Sequence, residues 1–336
     1  MKTPRAQFSA VAAYLPENVV TNSFFEEAGF NLELSDDVFF KGVRERRWAA
    51  PGETSASMGA KAAHALLERE DVDAREIDLV ISSALVNDLI LPHAACGIQH
   101  GIGARNATAI TLDTACASFV SGLIYGSALI RSGFFKTILL VSVSNFAGRA
   151  QGRMNDRSAI IPGDAAAAVL IRAGDEGEEG LVSWWEKSFG EYHGMFAIHA
   201  QMMNYERRQF WEPHDRIAFS FDKELVDTIK SNARELIPRA LKEVIIASGK
   251  SVKEIALVLT HQPNRFLIDC WREAVGASPE QCHDTLEQYG NLFQASIPVT
   301  LADAIAKGKV KKGDYIAMAS FALAGELVSG AVIKWG

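Results

Sequence analysis

One arrangement of strand and helix signals occurs twice along the 336 residues of this sequence. Residues 75–83 (REIDLVISS) resemble residues 253–261 (KEIALVLTH), a separation of 253 − 75 = 178. A helical segment followed by glycine and an apolar strand, 128–142, resembles 303–320, with separations of 303 − 128 = 175 and 315 − 137 = 178. Because the matches keep their order and nearly their spacing, they predict two halves of similar fold. The alternative is chance similarity between two buried strands.

Strand and helix signals alternate along both halves. Apolar runs bounded by turn residues predict strands at 77–84, 108–112, 137–144, 165–171, 255–260, 315–320 and 330–335. Periodic apolar patterns predict helices at 55–68, 117–131, 222–247 and 295–306. This alternation is typical of an α/β fold with covered sheets. We assign the halves to 1–174 and 175–336, and interpret 174–180 (GDEGEEG) as the surface turn between them.

Composition and charge argue against two classes of partner. The chain has 34 Lys and Arg against 41 Asp and Glu, a net charge of −7, whereas nucleic-acid binding needs a basic face. We interpret the clearest basic run, Arg44, Arg46 and Arg47, as a solvated surface turn. The longest uncharged run, 114–130, has 17 residues, fewer than the about 20 of a membrane span, and predicts a helix buried in the core. We therefore expect no nucleic-acid and no membrane partner.

The cysteines are predicted to be reduced. Four of them, Cys96, Cys116, Cys270 and Cys282, form no CxxC pair, and a chain of this length does not need disulfides to stabilise its core. The first 20 residues show no signal-peptide pattern. These features predict a cytoplasmic protein, in which Cys96, Cys270 and Cys282 are buried, inert thiols.

Cys116 differs from the other cysteines by its position. It follows the predicted strand 108–112 and begins a predicted buried helix. Unpaired N–H groups and the helix dipole at such a position stabilise a thiolate, so we expect a lowered thiol pKa. The small neighbours Ala115, Ala117 and Ser118 leave room for a substrate. Cys116 is therefore a candidate nucleophile, with a buried inert thiol as the alternative.

His261 and Asn291 strengthen that interpretation. His261 directly follows the predicted strand 255–260, where α/β folds place ligand sites. Asn291 precedes the helix that begins near Ala295, and at a separation of 291 − 116 = 175 it is predicted to be the second-half counterpart of Cys116. Loops of both halves would then bring a Cys, a His and an Asn together. Taken singly, His261 could be a structural histidine and Asn291 a turn residue or helix cap.

Several motifs in order make the chain resemble a known family. They are GVRER at 42–46, DTACASF at 113–119, IPGDAAA at 161–167, HQPN at 261–264, and GN at 290–291 with ASIP at 295–298. Over nearly its whole length the sequence resembles the thiolase-fold condensing enzymes of the β-ketoacyl-[acyl-carrier-protein] synthase III group. The resemblance implies two thiolase-like halves in a five-layer αβαβα sandwich.

The resemblance also implies a mechanism. Cys116 takes an acyl group from an acyl-CoA or acyl-carrier-protein thioester, while backbone N–H groups at Cys116 and near Ala324 hold the oxyanion. His261 and Asn291 then bind the carbonyl of a malonyl-type thioester and stabilise the enolate formed as CO2 leaves. A homodimer is usual in this family, and no cofactor or metal is expected.

Further substrate contacts follow from the same resemblance. Asn264 of the HQPN motif, and Phe321 and Ala324 of the C-terminal loop, are expected at the substrate. Arg157 aligns with an arginine that contacts CoA, and Leu91 stands where phenylalanine is common at the pocket mouth. The Trp and Arg that hold the CoA adenine in the family are absent. These departures favour a member of secondary metabolism rather than the housekeeping initiator of fatty-acid synthesis.

Three functional hypotheses remain open from the sequence. The first is decarboxylative carbon–carbon condensation, which the set Cys116, His261 and Asn291 favours. The second is an acyltransferase that forms an ester or amide without loss of CO2, with His261 as the base. The third is a non-catalytic partner subunit of a related synthase. The acyl chain, the acceptor and the pathway cannot be read from the residues.

Overall fold

Two mixed sheets contain all seven strands that the sequence predicts. The computed structural model describes residues 5–29, 32, 41–89, 91–147, 160–174, 180–200, 217–221 and 226–336. The strands are β1 (Arg5–Tyr14), β2 (Asn18–Thr21), β3 (Glu45–Trp48), β4 (Leu79–Ala84), β5 (Thr108–Thr111), β6 (Thr137–Ser144), β7 (Ala165–Gly174), β8 (Gly180–Ser188), β9 (Phe196–Ala200), β10 (Ile217–Phe221), β11 (Leu257–Thr260), β12 (Tyr315–Phe321) and β13 (Leu327–Lys334). The helices are α1 (Asn22–Glu27), α2 (Ser55–Arg69), α3 (Ala94–Gly101), α4 (Ser118–Arg131), α5 (Val226–Ala247), α6 (Arg265–Val275), α7 (Leu286–Tyr289) and α8 (Ser296–Ala306).

The two sheets repeat one topology, which confirms the predicted duplication. The first has the order β1-β7-β6-β4-β5, with β4 parallel to β5 and β6 and the other pairs antiparallel. The second has the order β8-β13-β12-β11, with the β11–β12 pair parallel and the other pairs antiparallel. An isolated parallel bridge between Val258 and Cys282 occupies the position of β5 in the second sheet. The predicted boundary at 174/175 adjoins residues 175–179, which lie outside the described ranges.

Alternation along the strands divides the core into layers. In β4, Leu79 and Ile81 face the middle of the molecule, whereas Val80 packs with α2 and α3 on the outer face. In β12, Ile316 and Met318 face the middle, whereas Ala317 and Ala319 pack with α5 and α6. Because α4 and α8 lie between the two sheets, the order is α2/α3, sheet, α4/α8, sheet, α5/α6. The predicted five-layer αβαβα sandwich is confirmed.

Close packing against a sheet requires small residues in α4. A Cβ atom at Gly122 would lie 2.6 Å from Cδ1 of Leu140, and one at Gly126 would lie 2.9 Å from Cδ1 of Ile171. The helix is buried except around Tyr125, which is 43% exposed. The prediction that the uncharged run forms a core helix is therefore confirmed. No helix in the described ranges is long and apolar enough to cross a bilayer.

The interpretation of the basic run as a solvated turn is wrong for Arg46. Its side chain is fully buried, donates to Oδ1 of Asn22 at 3.0 Å and lies 4.7 Å from the ring centroid of Phe25. Burial lowers the pKa of Arg46 to about 10. Only Arg44 is largely exposed, and its guanidinium pairs with Glu287 at 2.6 Å. The burial of Arg46 depends on residues more than 20 positions away, which the local pattern of charges does not reveal.

Backbone hydrogen bonds join segments that are distant in sequence at two places. The N–H of Arg265 in the second half donates to the carbonyl of Lys41 at 3.2 Å, and Gly42 provides the space because a Cβ there would lie 2.6 Å from Cβ of Arg265. The N–H of Gly336 donates to the carbonyl of Phe8 in β1 at 3.0 Å. Each half therefore completes its contacts with residues of the other.

Asp164 organises the loop beside the first sheet. Its buried carboxylate accepts N–H groups from Ala49 at 2.9 Å and from Phe146 and Ala147 at 2.8 Å. These amides belong to two separate loops, so one side chain holds both of them in place. A buried N–H group without a partner costs about 1–3 kcal/mol.

We expect Asp164→Ala to lower the free energy of unfolding by about 3 kcal/mol or more, because it leaves three buried donors unsatisfied. The measurement is urea denaturation followed by fluorescence. Asp269→Ala, which removes a largely exposed carboxylate that lies 3.6 Å from Arg265 and 3.8 Å from Arg272, is the control and should change the free energy of unfolding by less than about 0.5 kcal/mol. Equal effects of the two substitutions would contradict the role of Asp164.

Candidate active site

A tight turn after β5 positions Cys116. A short 3-10 helix, Ala115–Ala117, leads into α4. The N–H of Ala115 donates to Oδ1 of Asp113 at 2.9 Å, and Oγ of Ser118 accepts the N–H of Thr114 at 2.9 Å. Ala115 has a φ of 48°, in the left-handed region. The turn thus directs Cys116 into the interior, where its carbonyl accepts Oγ–H of Ser320 at 2.7 Å.

The side chain of Cys116 lies in an apolar cluster. The residue is only 6% exposed and packs with the rings of Phe146 and Phe293. The half-buried Leu85 and Val86 pack against the same cluster. The small residues that follow Cys116 therefore do not leave the thiol open, because aromatic side chains from other loops cover it.

Burial decides the ionisation of the Cys116 thiol. Desolvation, together with smaller effects of the charges of Asp113 and Glu326, raises the pKa of Cys116 to about 12. The backbone N–H groups of Cys116 and Leu323 act in the opposite direction but do not compensate. The predicted lowering of the pKa is therefore wrong for the unliganded site, because desolvation outweighs the helix terminus. Among the other cysteines, Cys282 is buried as predicted, whereas Cys96 is exposed.

His261 lies at the carboxyl end of β11, as predicted. The backbone N–H of His261 donates to the carbonyl of Ala319 at 3.1 Å, which continues the pairing of β11 with β12. Desolvation lowers the pKa of His261 to about 4, and a hydrogen bond with the backbone of Phe293 offsets only part of that effect. The imidazole is therefore neutral at pH 7 and carries one N–H, which the hydrogen bond with the backbone of Phe293 engages.

Asn291 is held by its backbone and by its side-chain oxygen. Its N–H donates to the carbonyl of Ile161 at 2.9 Å, and its carbonyl accepts the N–H of Gly163 at 3.0 Å. Oδ1 accepts the N–H of Phe293 at 2.8 Å. With Oδ1 engaged, the amide NH2 is the part of the side chain that can bind a carbonyl oxygen.

The turns around Cys116 and Asn291 share one geometry. Oδ1 of Asp113 accepts the N–H two residues later, as Oδ1 of Asn291 does for Phe293. The following residues have nearly equal left-handed φ values, 48° for Ala115 and 49° for Phe293. The second turn then continues through a 3-10 helix, Phe293–Ala295, into α8.

This geometry corrects the predicted pairing of residues between the halves. The separation between equivalent positions is 293 − 115 = 178, not 175. Asn291 is therefore the counterpart of Asp113, and the counterpart of Cys116 is Gln294. Nε2 of Gln294 is buried and donates to the carbonyl of Val143 at 2.9 Å. The second half thus has a structural amide where the first has the thiol.

Cys116, His261 and Asn291 converge, as predicted, and Phe293 connects them. The ring of Phe293 belongs to the cluster around Cys116, whereas its backbone bonds with His261 and with Asn291. Phe293 and Phe146 are not among the site residues predicted from the sequence. The recurring turn pattern was the one available signal for Phe293.

The other predicted substrate contacts differ from one another in where they lie relative to the site. Oδ1 of Asn264 caps α6 by accepting the N–H of Leu267 at 2.9 Å, a structural role. Phe321 packs edge-on against His261, with ring centroids 6.1 Å apart, and so borders the site. Leu91 is 75% exposed, and Arg157 lies outside the described residues.

The C-terminal loop presents a different amide from the one expected. The N–H of Ala324 donates to Oε2 of Glu326 at 3.0 Å, and its carbonyl accepts Nδ2 of Asn232 at 3.2 Å. The backbone amide of this loop that hydrogen-bonds the Cys116 sulfur, and so lowers its pKa, is that of Leu323. The φ of Leu323 is 33°. The predicted position is therefore corrected from Ala324 to Leu323, one residue earlier.

Comparisons with known proteins agree with the fold and identify the family. Family models described as 3-oxoacyl-[acyl-carrier-protein (ACP)] synthase III and its C-terminal part match residues 110–188 and 245–335. A β-ketoacyl-[acyl-carrier-protein] synthase III of Roseiflexus sp. is 33% identical, with 98% of this chain and 99% of the relative covered. The chain belongs to the synthase III family. The resemblance inferred from the motifs is thus confirmed.

Solved structures of synthase III proteins show the same fold. The 3-oxoacyl-(acyl carrier protein) synthase III of Pseudomonas aeruginosa matches with a TM-score of 0.83 and 25% identity, and 98% of each chain is covered. The priming β-ketosynthase of the R1128 polyketide pathway matches with a TM-score of 0.84 and 25% identity, covering 100% of this chain and 98% of the other.

The depressed pKa of His261 predicts a pH-dependent stability. Between pH 6.5 and about 4 the unfolded chain binds a proton at His261 that the folded chain excludes. The stability associated with the neutral imidazole is therefore lost as the pH falls through this window, by about 3 kcal/mol in all. In urea titrations between pH 4 and 7, His261→Gln should show a weaker dependence of unfolding free energy on pH than the wild type. Parallel curves for the two proteins would contradict the burial of a neutral imidazole.

Proposed function

We propose that this protein is a condensing enzyme that joins an acyl group on Cys116 to a malonyl-type thioester with loss of CO2. The observation that carries the proposal is the convergence of Cys116, His261 and Asn291 on Phe293. Similarity over nearly the whole chain to proteins named β-ketoacyl-[acyl-carrier-protein] synthase III supports the same reaction. The ester- or amide-forming alternative has no comparable support.

In the first step Cys116 attacks the carbonyl of an acyl thioester. The oxyanion would be held by the N–H groups of Cys116 and Leu323, the two backbone groups that favour negative charge at the sulfur. The new thioester forms on Sγ, the bond to the donor sulfur breaks, and the proton of the Cys116 thiol passes to the departing donor thiolate. The high pKa of the free thiol keeps Cys116 protonated until a donor is bound.

In the second step the malonyl-type thioester binds through its carbonyl oxygen. The single N–H of the neutral His261 leaves the backbone of Phe293 and donates to this oxygen, and the NH2 of Asn291 donates to it as well. As the carbon–carbon bond to the carboxylate breaks, CO2 leaves and the electron pair forms an enolate, which these two donors stabilise. The enolate carbon attacks the acyl carbonyl carbon, the bond from that carbon to Sγ breaks, and a β-ketoacyl thioester forms. The Cys116 thiolate that is released takes up a proton from solvent.

The donor, the acceptor and the assembly belong to the proposal as well. We expect acyl-CoA or acyl-carrier-protein as donor, and a product used in fatty-acid or polyketide synthesis.

We also propose a homodimer. Strand β5 is an edge strand that pairs only with β4 within the described residues, and its Ile110 is 42% exposed. A two-fold partner can extend a sheet at such an edge. A cytoplasmic location remains a prediction.

Acylation is tested by intact-protein mass after incubation with a panel of acyl-CoA and acyl-carrier thioesters. The wild type should gain the mass of one acyl group, and Cys116→Ala should gain none. Cys96→Ala is the matched control, because it removes an exposed cysteine outside the site and should acylate like the wild type. Acylation that survives Cys116→Ala and disappears in Cys96→Ala would contradict the proposal.

The enolate step is tested by CO2 release from a malonyl thioester. Asn291→Asp keeps the oxygen that accepts the N–H of Phe293, as Asp113 does in the equivalent turn, but removes the NH2 donor. We expect it to lower the rate of CO2 release by about 100-fold or more, with acylation of Cys116 retained. Full-rate CO2 release by this variant would show that Asn291 does not stabilise the enolate.

A further inference from the structure

Phe293 has a ring that its turn does not require. The equivalent turn in the first half forms with the same hydrogen bond and nearly the same φ around Ala115, whose side chain is a methyl group. A left-handed φ is also unfavourable for a bulky residue. The aromatic ring of Phe293 therefore contributes something other than the turn itself.

The ring forms part of a fixed wall beside the nucleophile. The centroids of Phe293 and Phe146 are 5.7 Å apart with an interplanar angle of 67°, an edge-to-face contact. The N–H of Phe146 donates to Oδ1 of Asp164 at 2.8 Å, which holds that ring's backbone. Phe293 is 6% exposed and is anchored by Asn291. Both backbones are held by hydrogen bonds to buried side chains, so neither loop can shift freely to make room beside Cys116.

An acyl group on Cys116 must occupy space next to these rings. The carbonyl carbon is bonded to Sγ, so the next carbon lies within a few bond lengths of the cluster. Close-packed interiors yield little to added volume, and overpacking them is unfavourable. A branch at the carbon beside the carbonyl needs more room there than a linear chain of equal size does.

We infer that the ring of Phe293 determines acyl specificity by excluding acyl groups branched next to the thioester carbonyl. The inference rests on the proposed acylation of Cys116 and names the class of donor that this site accepts: linear acyl thioesters. The backbone of Phe293 serves His261 and Asn291, while its side chain limits the acyl group.

The test compares butyryl-CoA with isobutyryl-CoA, which have equal composition and differ in the branch. The rate of Cys116 acylation by each, measured by intact mass, gives the ratio of kcat/KM for the branched over the linear donor. Phe293→Ala should raise this ratio about tenfold or more. Phe293→Leu, which keeps most of the bulk, should stay near the wild type. Phe8→Leu, a truncation of a buried ring in β1, controls for loss of packing and should leave the ratio unchanged.

An unchanged ratio in Phe293→Ala, with wild-type acylation intact, would overturn the inference alone. An equal rise in Phe8→Leu would also overturn it, since general loosening would then explain the change. If Phe293→Ala does not fold, Phe293→Gly takes its place, because glycine adopts a φ of 49° without strain. If neither linear nor branched donors, on CoA or on carrier protein, acylate the wild type, the proposed function fails and the inference fails with it.

Discussion

The burial of two helices between two sheets is the constraint on which the rest of the structure depends. Because α4 and α8 are covered on both sides, their first turns open into the interior and not into water. Gly122 and Gly126 permit this by letting α4 approach the first sheet closely. Each helix is preceded by a left-handed turn, and these turns bring the groups of the site together. The position of the site is therefore a consequence of the middle layer.

The same burial keeps the Cys116 thiol and the His261 imidazole uncharged at rest. Desolvation raises the pKa of Cys116 to about 12 and lowers the pKa of His261 to about 4, so both groups stay neutral over the physiological range. A neutral imidazole and an amide NH2 are donors that suit an oxygen on which negative charge develops during the reaction. In the proposed first step, the fixed amides of Cys116 and Leu323 would play the equivalent part. Neither Cys116 nor His261 therefore carries charge before a substrate binds.

Much of the fold and of the site could be predicted because both are encoded locally. Apolar runs identified seven strands, Cys116 and His261 follow two of them, and Asn291 precedes a predicted helix. The contribution of Leu323 could not be predicted, since it is made by a backbone amide and depends on a φ that side-chain type does not reveal. The burial of Arg46 depends on tertiary partners, and so does the pKa of Cys116. The helix-terminus argument for that pKa was physically sound but neglected desolvation, which is the larger effect.

Contacts between distant segments have a consequence for how the chain acquires its structure. The carbonyl of Phe8 is paired by Gly336, and that of Lys41 by Arg265, separations of 336 − 8 = 328 and 265 − 41 = 224 residues. Contacts of such high order are slow to form, because a long loop must close before they contribute. On the ribosome, β1 can pair with β7 once residues 165–174 have emerged, but the carbonyl of Phe8 must wait for residue 336. The apolar face of β1 that packs against α8 remains a site for aggregation or for chaperone binding until α8 has been translated.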